Sequence, residues 1–246
     1  MTFERNPAPP PEPAPVVGSV TPGGEPTPVQ IRLQILSTEH WSLLASRGLA
    51  WNESFTRAGM FLSTLSGSLV ALSLIGGIDG FKDTFFVVAL VVLPVDLFVG
   101  IGTWLRMGAA NYHDAIAVAG MNRIRAGYLE IAPDLAPYFV MGVHDDPRGI
   151  GITMAVPPGT APVVHLIAGT PTLVMVLNSV LAGAIGAIAA FRFAGANAVA
   201  TVLVAVVVAL AVLVIEFRSA REKIVRGQRA LAPMFPTPSD GDETGA

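Results

Sequence analysis

Four stretches of this chain run for about the length of a membrane span with almost no charge, and the polar residues gather at their ends. Residues 60–78 (MFLSTLSGSLVALSLIGGI) hold no charged side chain over nineteen positions. As a helix they cover about 28 Å, close to the hydrocarbon thickness of a bilayer. Residues 84–105 follow after a short turn and contain Pro94 and one acid, Asp96. Residues 172–191 and 196–215 form a second apolar pair around the turn Arg192 to Gly195. Turns this short predict antiparallel hairpins. The expected fold class is therefore an all-α membrane protein, with four transmembrane helices in two hairpins and cytoplasmic helical extensions.

The flanking pattern changes period. In residues 29–59, Trp41, Leu44, Gly48, Trp51 and Phe55 recur at spacings of three and four and predict one packed face of an amphipathic helix. Ser37 and Thr38 before Glu39 predict its start, because a hydroxyl there can accept a free backbone N–H. In residues 106–171, Ala117, Met121, Ile124, Tyr128 and Ile131 predict a helical face, and a run of prolines from Pro133 to Pro162 then breaks the chain into irregular pieces. Residues 163–168 are apolar but too short to span. Thr170-Pro171 predicts an N-cap with proline at the first helical position. Residues 216–235 predict a basic juxtamembrane helix. Residues 1–28 and 236–246 are rich in Pro, Gly and acids, which predicts disordered tails, the first with polyproline II character or an SH3-type ligand.

Composition sharpens this picture. Hydrophobic residues make up 52% of the 246 and charged residues 13%, against about 25% charged in a soluble domain. The net charge of −3 gives no reason to expect nucleic acid as a partner, and the absence of cysteine removes disulfides, thiolate metal sites and cysteine nucleophiles. The N-terminal residues do not read as a secretory signal. Of the 15 basic residues only Lys82 and Arg192 lie at the short turns. The positive-inside rule then predicts cytoplasmic termini and a cytoplasmic middle segment in a multi-pass inner-membrane protein. Aromatics agree, with Phe81, Phe85, Phe86, Phe191 and Phe193 at the outer turns and Trp104 and Phe217 at the inner boundary.

Asp96 is the most informative single residue. An acid at membrane depth costs roughly 2.5 to 3.5 kcal/mol on insertion scales, so it should face the bundle or water. It sits about 13 Å from the inner end of its span at 1.5 Å per residue. Counting from their own inner ends, Ser66, Ser68 and Asn178 reach a similar depth, which predicts one intramembrane polar layer of Asp96, Ser66, Ser68 and Asn178. It reads either as a proton- or cation-handling site or as a hydrogen-bonded acid that fixes packing. Pro94 predicts a helix kink beside it. The small pairs Ser179/Gly183 and Ala182/Gly186, and the surface of Ser63, Ser66 and Gly67, predict close helix contacts, within the chain or between copies. The fourth span, mostly Val, Ala and Leu, is expected to face lipid. Arg218, Arg221, Lys223, Arg226 and Arg229 predict contact with anionic lipid headgroups, or simply an orientation anchor.

The sequence holds no P-loop, HExxH or GxSxG pattern. His113-Asp114 and His144-Asp145-Asp146 are the His–acid clusters. Neither has convincing metal-ligand spacing, and they are the only candidates for a lipid-acting enzyme. No catalytic, cofactor-binding or metal residues are assigned, and no cofactor is expected. Residues 36–75 (LSTEHWSLLASRGLAWNESFTRAGMFLSTLSGSLVALSLI) and 105–133 (LRMGAANYHDAIAVAGMNRIRAGYLEIAP) resemble a family of bacterial four-helix integral membrane proteins with no assigned activity. There an amphipathic helix leads straight into a membrane hairpin. The resemblance implies the layout and no functional residues. The leading expectation is a non-enzymatic oligomeric scaffold, complex subunit or effector, whose partners are the lipid bilayer and a second copy or another membrane protein. The alternative is a small ion channel or transporter that uses Asp96.

Overall fold

The computed structural model describes residues 27–155, 169–230 and 232–238, with backbone only at 79 and 228–230. Every regular element among the described residues is helical. The long helices are α1 (Pro28–Asp79), α2 (Asp83–Ile131), α4 (Thr170–Phe193) and α5 (Ala198–Ala230). Between α2 and α4 lie a 3-10 turn, Pro133–Tyr138, and the short helix α3 (Pro147–Thr153). Each of the four long helices contains a stretch long and apolar enough to cross a membrane.

The predicted amphipathic helix and first span are one continuous element. α1 has 52 residues, about 78 Å at 1.5 Å per residue. It begins at Pro28, earlier than Ser37 and Thr38 suggest. Thr27 and Gln30 form a reciprocal capping box, in which the Gln30 N–H donates to Thr27 Oγ1 (3.3 Å) and the Thr27 N–H to Gln30 Oε1 (2.7 Å). Two otherwise orphaned donors are thereby satisfied. The Thr38 hydroxyl instead donates back to the Gln34 carbonyl at 2.8 Å. α1 stops at Gly80 in the left-handed region (φ 68°), whose N–H donates to Gly76 O at 3.0 Å. The first predicted tail lies almost wholly outside the described residues, as do residues 163–168 and the tail beyond 238. α4 is capped by Gly169, one residue before the predicted Thr170.

The packed face of α1 is not the predicted one. Trp41, Leu44 and Phe55 are exposed, while Ser54, Ala58 and Phe61 are buried. The inward seam is offset by one position, because small residues on α2 receive it. A methyl group at Gly120 would meet Leu43 Cδ1 at 2.9 Å, and one at Gly127 would meet Leu36 Cδ1 at 3.4 Å. Leu36, His40, Leu43, Arg47, Ala50 and Ser54 thus recur at four–three spacing against α2, which is the spacing of a coiled-coil seam. On α2, Ala117, Met121 and Ile124 are buried, in the face the sequence predicts.

Charges cross this seam at intervals. Arg47 donates to both carboxylate oxygens of buried Asp114, at 2.5 and 3.2 Å. Glu53 accepts from Arg106 (2.5 and 3.0 Å) and from Arg57 (3.0 Å). The Arg106 hydrogen bond, followed by that of Arg57, lowers the Glu53 carboxyl from 4.5 to about 2. A depressed carboxylate contributes stability that is complete above its unfolded value and is lost as pH falls through the folded one. Glu53→Gln and the parent chain should therefore show the same difference in thermal midpoint at pH 5 and pH 8, shrinking only between about pH 4.5 and 2. A difference that grows between pH 5 and 8 would show that Glu53 is not the group holding these arginines.

At the opposite end the two short turns meet. Phe81, Phe85, Phe86 and Phe191 form a chain of ring contacts with centroids 4.9, 5.4 and 5.7 Å apart. Arg192 pairs with Asp83 at 3.0 Å. The small residues of α4 receive α5: a methyl group at Gly183 would meet the Ala205 carbonyl oxygen at 2.6 Å, and one at Gly186 would meet Val208 at 3.1 Å. Those small positions are thus used within the chain. Ser63, Ser66 and Gly67 of α1 face outward instead. None of the most apolar stretch of α5 is buried, in line with a lipid-facing helix.

Candidate functional site

Two apolar clusters fill the bundle. One contains Phe61, Trp104, Met107, Val174 and Met175, and the other Leu72, Ala89, Leu93 and Leu181. Leu65 touches both. Buried polar side chains lie among these residues. Asp96 is 1% exposed and Asn178 is fully buried. Ser68 is buried as well, whereas Ser66, predicted in the same layer, faces outward.

Glu216 is the residue that sequence reasoning misses. By its neighbours it reads as the start of the basic extension, yet its side chain turns into the bundle, 6% exposed. Asn178 Nδ2 donates to Glu216 Oε1 at 3.0 Å. The signal lies in the small face of α5, since Ala205 and Ala209, which pack against Gly183, are followed at helical spacing by Glu216. That face leads directly into the acid.

Gly100 sets the close approach. A methyl group there would overlap Asn178 Oδ1 and press on the Phe61 ring at 2.8 Å. Only glycine lets α2 pass at this level. Asp96 lies one helical turn from Gly100 on the same face of α2. Three buried side-chain oxygens of the bundle, Asp96 Oδ2 on α2, Asn178 Oδ1 on α4 and Glu216 Oε2 on α5, have no hydrogen-bond partner. Buried polar atoms are nearly always paired, so three orphaned acceptors in one helix bundle call for an explanation. Donated protons or a small cation would satisfy acceptor oxygens of this kind.

Pro94 lies inside α2, exposed, next to Leu93 of the second cluster. It removes one donor from the ladder two residues before Asp96. The basic run of α5 divides. Arg218 and Arg221 are exposed. Arg226 pairs with Glu222 at 3.1 Å. The Lys223 ammonium sits over the Trp104 ring, 5.1 Å from its centroid, so it is an inter-helix contact rather than a free cation. Arg229 lies in the last turn of α5.

The His–acid clusters are engaged in structure. Asp114 holds Arg47. Asp145 pairs with Arg123 at 2.6 Å, and Asp146 caps α3 by accepting from the Gly149 N–H at 2.9 Å. Residues 236–238, expected as the beginning of a free tail, lie against this acid pair: Thr237 Oγ1 donates to Asp146 Oδ1 at 2.8 Å.

Comparison with protein-family models, curated proteins and solved structures finds no match to this chain.

Proposed function

We propose that this is a multi-pass membrane protein that binds a proton or a small cation at the Asp96–Asn178–Glu216 layer and moves it across the bilayer. The observation that carries this reading is the set of three buried, unpartnered oxygens from α2, α4 and α5. Two carboxyl side chains buried in the bundle, Asp96 within a span and Glu216 at the inner end of one, are costly unless they serve a bound ion or a proton. The apolar clusters around the layer give the closed surroundings of an occluded site. The spans form two hairpins. Both termini and the 106–171 segment lie on the cytoplasmic side of a bacterial inner membrane, a topology supported by the distribution of basic residues.

The test is flux into proteoliposomes, followed with an internal pH indicator and with monovalent cation indicators. The expected result is a protein-dependent flux that falls at least about tenfold in Asp96→Asn and in Glu216→Gln, since each removes one ionisable oxygen pair. No flux above protein-free vesicles, or undiminished flux in Glu216→Gln, would remove the reading.

A second reading, a non-enzymatic oligomeric scaffold or complex subunit, is favoured by the outward stripe of α1. Trp41, Leu44 and Phe55 are about half exposed at heptad spacing (52%, 42% and 52%), which suits a second copy or another membrane protein packed alongside. The two readings are compatible, since many ion-conducting proteins are oligomers.

A further inference from the structure

The segment after α5 is held mainly through its backbone, by a site whose own framework bonds come from residues 122–153. Between Pro233 and Pro238 the prolines at 233, 236 and 238 carry no N–H, which leaves three backbone donors, at Met234, Phe235 and Thr237. All three are taken by two adjacent acids. The Met234 N–H donates to Asp145 Oδ2 and the Phe235 N–H to Asp145 Oδ1, both at 2.8 Å. The Thr237 N–H and hydroxyl both donate to Asp146. The contact is reciprocal: the Asp145 N–H donates to the Phe235 carbonyl at 3.2 Å, and Arg123 Nη2 donates to the Ala232 carbonyl at 3.1 Å.

The receiving site has its own framework. Asn122 is fully buried and fixes the loop by donating to the His144 carbonyl at 2.7 Å. Its Oδ1 accepts from Thr153 Oγ1 at 2.8 Å and from Arg125 at 2.7 Å. Gly142 N–H donates to the same threonine hydroxyl at 3.1 Å. Arg123 Nε holds the Asp145 carboxylate in place. Of the segment only Phe235 and Thr237 are partly buried; its other residues are exposed, Met234 by 69%. A polar cleft with its own hydrogen-bond framework and a proline-spaced, backbone-bound occupant are the attributes of a peptide and its docking site, not of two parts of one core.

We propose that Asp145, Asp146 and Arg123 form a docking site for an extended, proline-spaced peptide, and that residues 232–238 of the same chain are its ligand, a detachable latch that fastens the end of α5 to α2 and the α3 loop. Because α5 also carries Glu216, release of the latch frees the end of the helix that supplies one acid of the polar layer. The latch itself does not depend on that layer having a transport role.

Hydrogen–deuterium exchange of the full-length chain tests this. In the parent protein the amides of Met234, Phe235 and Thr237 should exchange at least about tenfold more slowly than in a free peptide of residues 232–238, since each is hydrogen-bonded in a locally opening element. Asp145→Asn should bring them to the free-peptide rate. Phe235→Pro, which removes a donor from the segment and leaves the site untouched, should release Met234 and Thr237 while residues 118–124 and 142–153 keep their protection. Adding the free peptide in excess should speed segment exchange in the parent chain by displacement. Segment amides that already exchange at the free-peptide rate in the parent chain would overturn the docking site. Loss of protection at 142–153 together with the segment in Phe235→Pro would show that the segment is part of the fold, and would overturn the latch.

Discussion

Gly100→Val is expected to unfold the bundle at a temperature well below the parent chain. The added branch meets two side chains at once. A Cβ at this position already overlaps the Asn178 amide oxygen and the Phe61 ring, and Phe61 is itself fully buried. Overpacking a tight core costs about 1–3 kcal/mol, occasionally more. Here α1 and α4 must both retreat from α2, and the Asn178–Glu216 bond must break or bend, so the cost falls at or above about 3 kcal/mol. For a chain of this size that corresponds to a fall of roughly 6–12 °C in midpoint. Gly102→Val is the control. A Cβ at Gly102 meets nothing within 4 Å, and an outward change of this kind should stay within about 0.5 kcal/mol. Thermal unfolding of both variants in one detergent decides the matter. Equal midpoints would mean that the close approach of α2 to α4 at Gly100 is not a feature of the folded protein.

The same glycine shows what sequence patterning reveals and where it stops. The four apolar stretches are legible because a bilayer-spanning helix must satisfy its backbone internally and present apolar side chains for some twenty residues. No tertiary accident erases that signal. The buried polar residues are half legible. Asp96 and Asn178 stand out against apolar neighbours, and depth arithmetic places them at one level. Depth does not give rotation about the helix axis, and for that reason Ser66 fails while Ser68, two residues on, is buried. Glu216 is hidden for a different reason. It stands beside Arg218 and Arg221, where a charge reads as the end of a span, although helical spacing puts it on the small face of α5.

The α1 seam is misread because two stripes run side by side. Trp41, Leu44, Trp51 and Phe55 carry the greater apolar bulk, and bulk draws a sequence reading. The actual seam is set by α2, whose Gly120 and Gly127 admit Leu43 and Leu36. Shape complementarity of this sort depends on the partner helix and has no trace in the periodicity of α1 alone. The docked segment is the extreme case. A stretch of prolines and polar residues reads as tail by composition, and only the positions of its three remaining N–H groups relative to Asp145 and Asp146 give it a place.

A double-mutant cycle on Asn178 and Glu216 separates a packing bolt from an ion site. Asn178→Leu leaves Glu216 with no donor to either oxygen, since Oε2 is already unpartnered. Leaving a buried acid without its hydrogen-bond donor costs about 1–3 kcal/mol, and more where the acid is charged, so this single variant should be among the most destabilised. Glu216→Leu orphans only a neutral amide, at about 1–3 kcal/mol. The double variant replaces both polar groups with side chains suited to their neighbours, Leu177, Leu213 and Phe217. It should recover most of the loss and lie well above the sum of the two singles. Interhelical hydrogen bonds in membranes average near 0.6 kcal/mol and reach about 1.7, so the bond by itself explains little of the cycle. Most of the coupling comes from the acid left alone. Stability measured in detergent and flux measured in liposomes then part company. A proton or cation site predicts that the double variant folds as well as the parent yet carries no flux, because no repacking restores the lost oxygens. If the double variant is stable and conducts like the parent chain, Asn178 and Glu216 serve packing alone, and Asp96 loses the partners that make the layer a site.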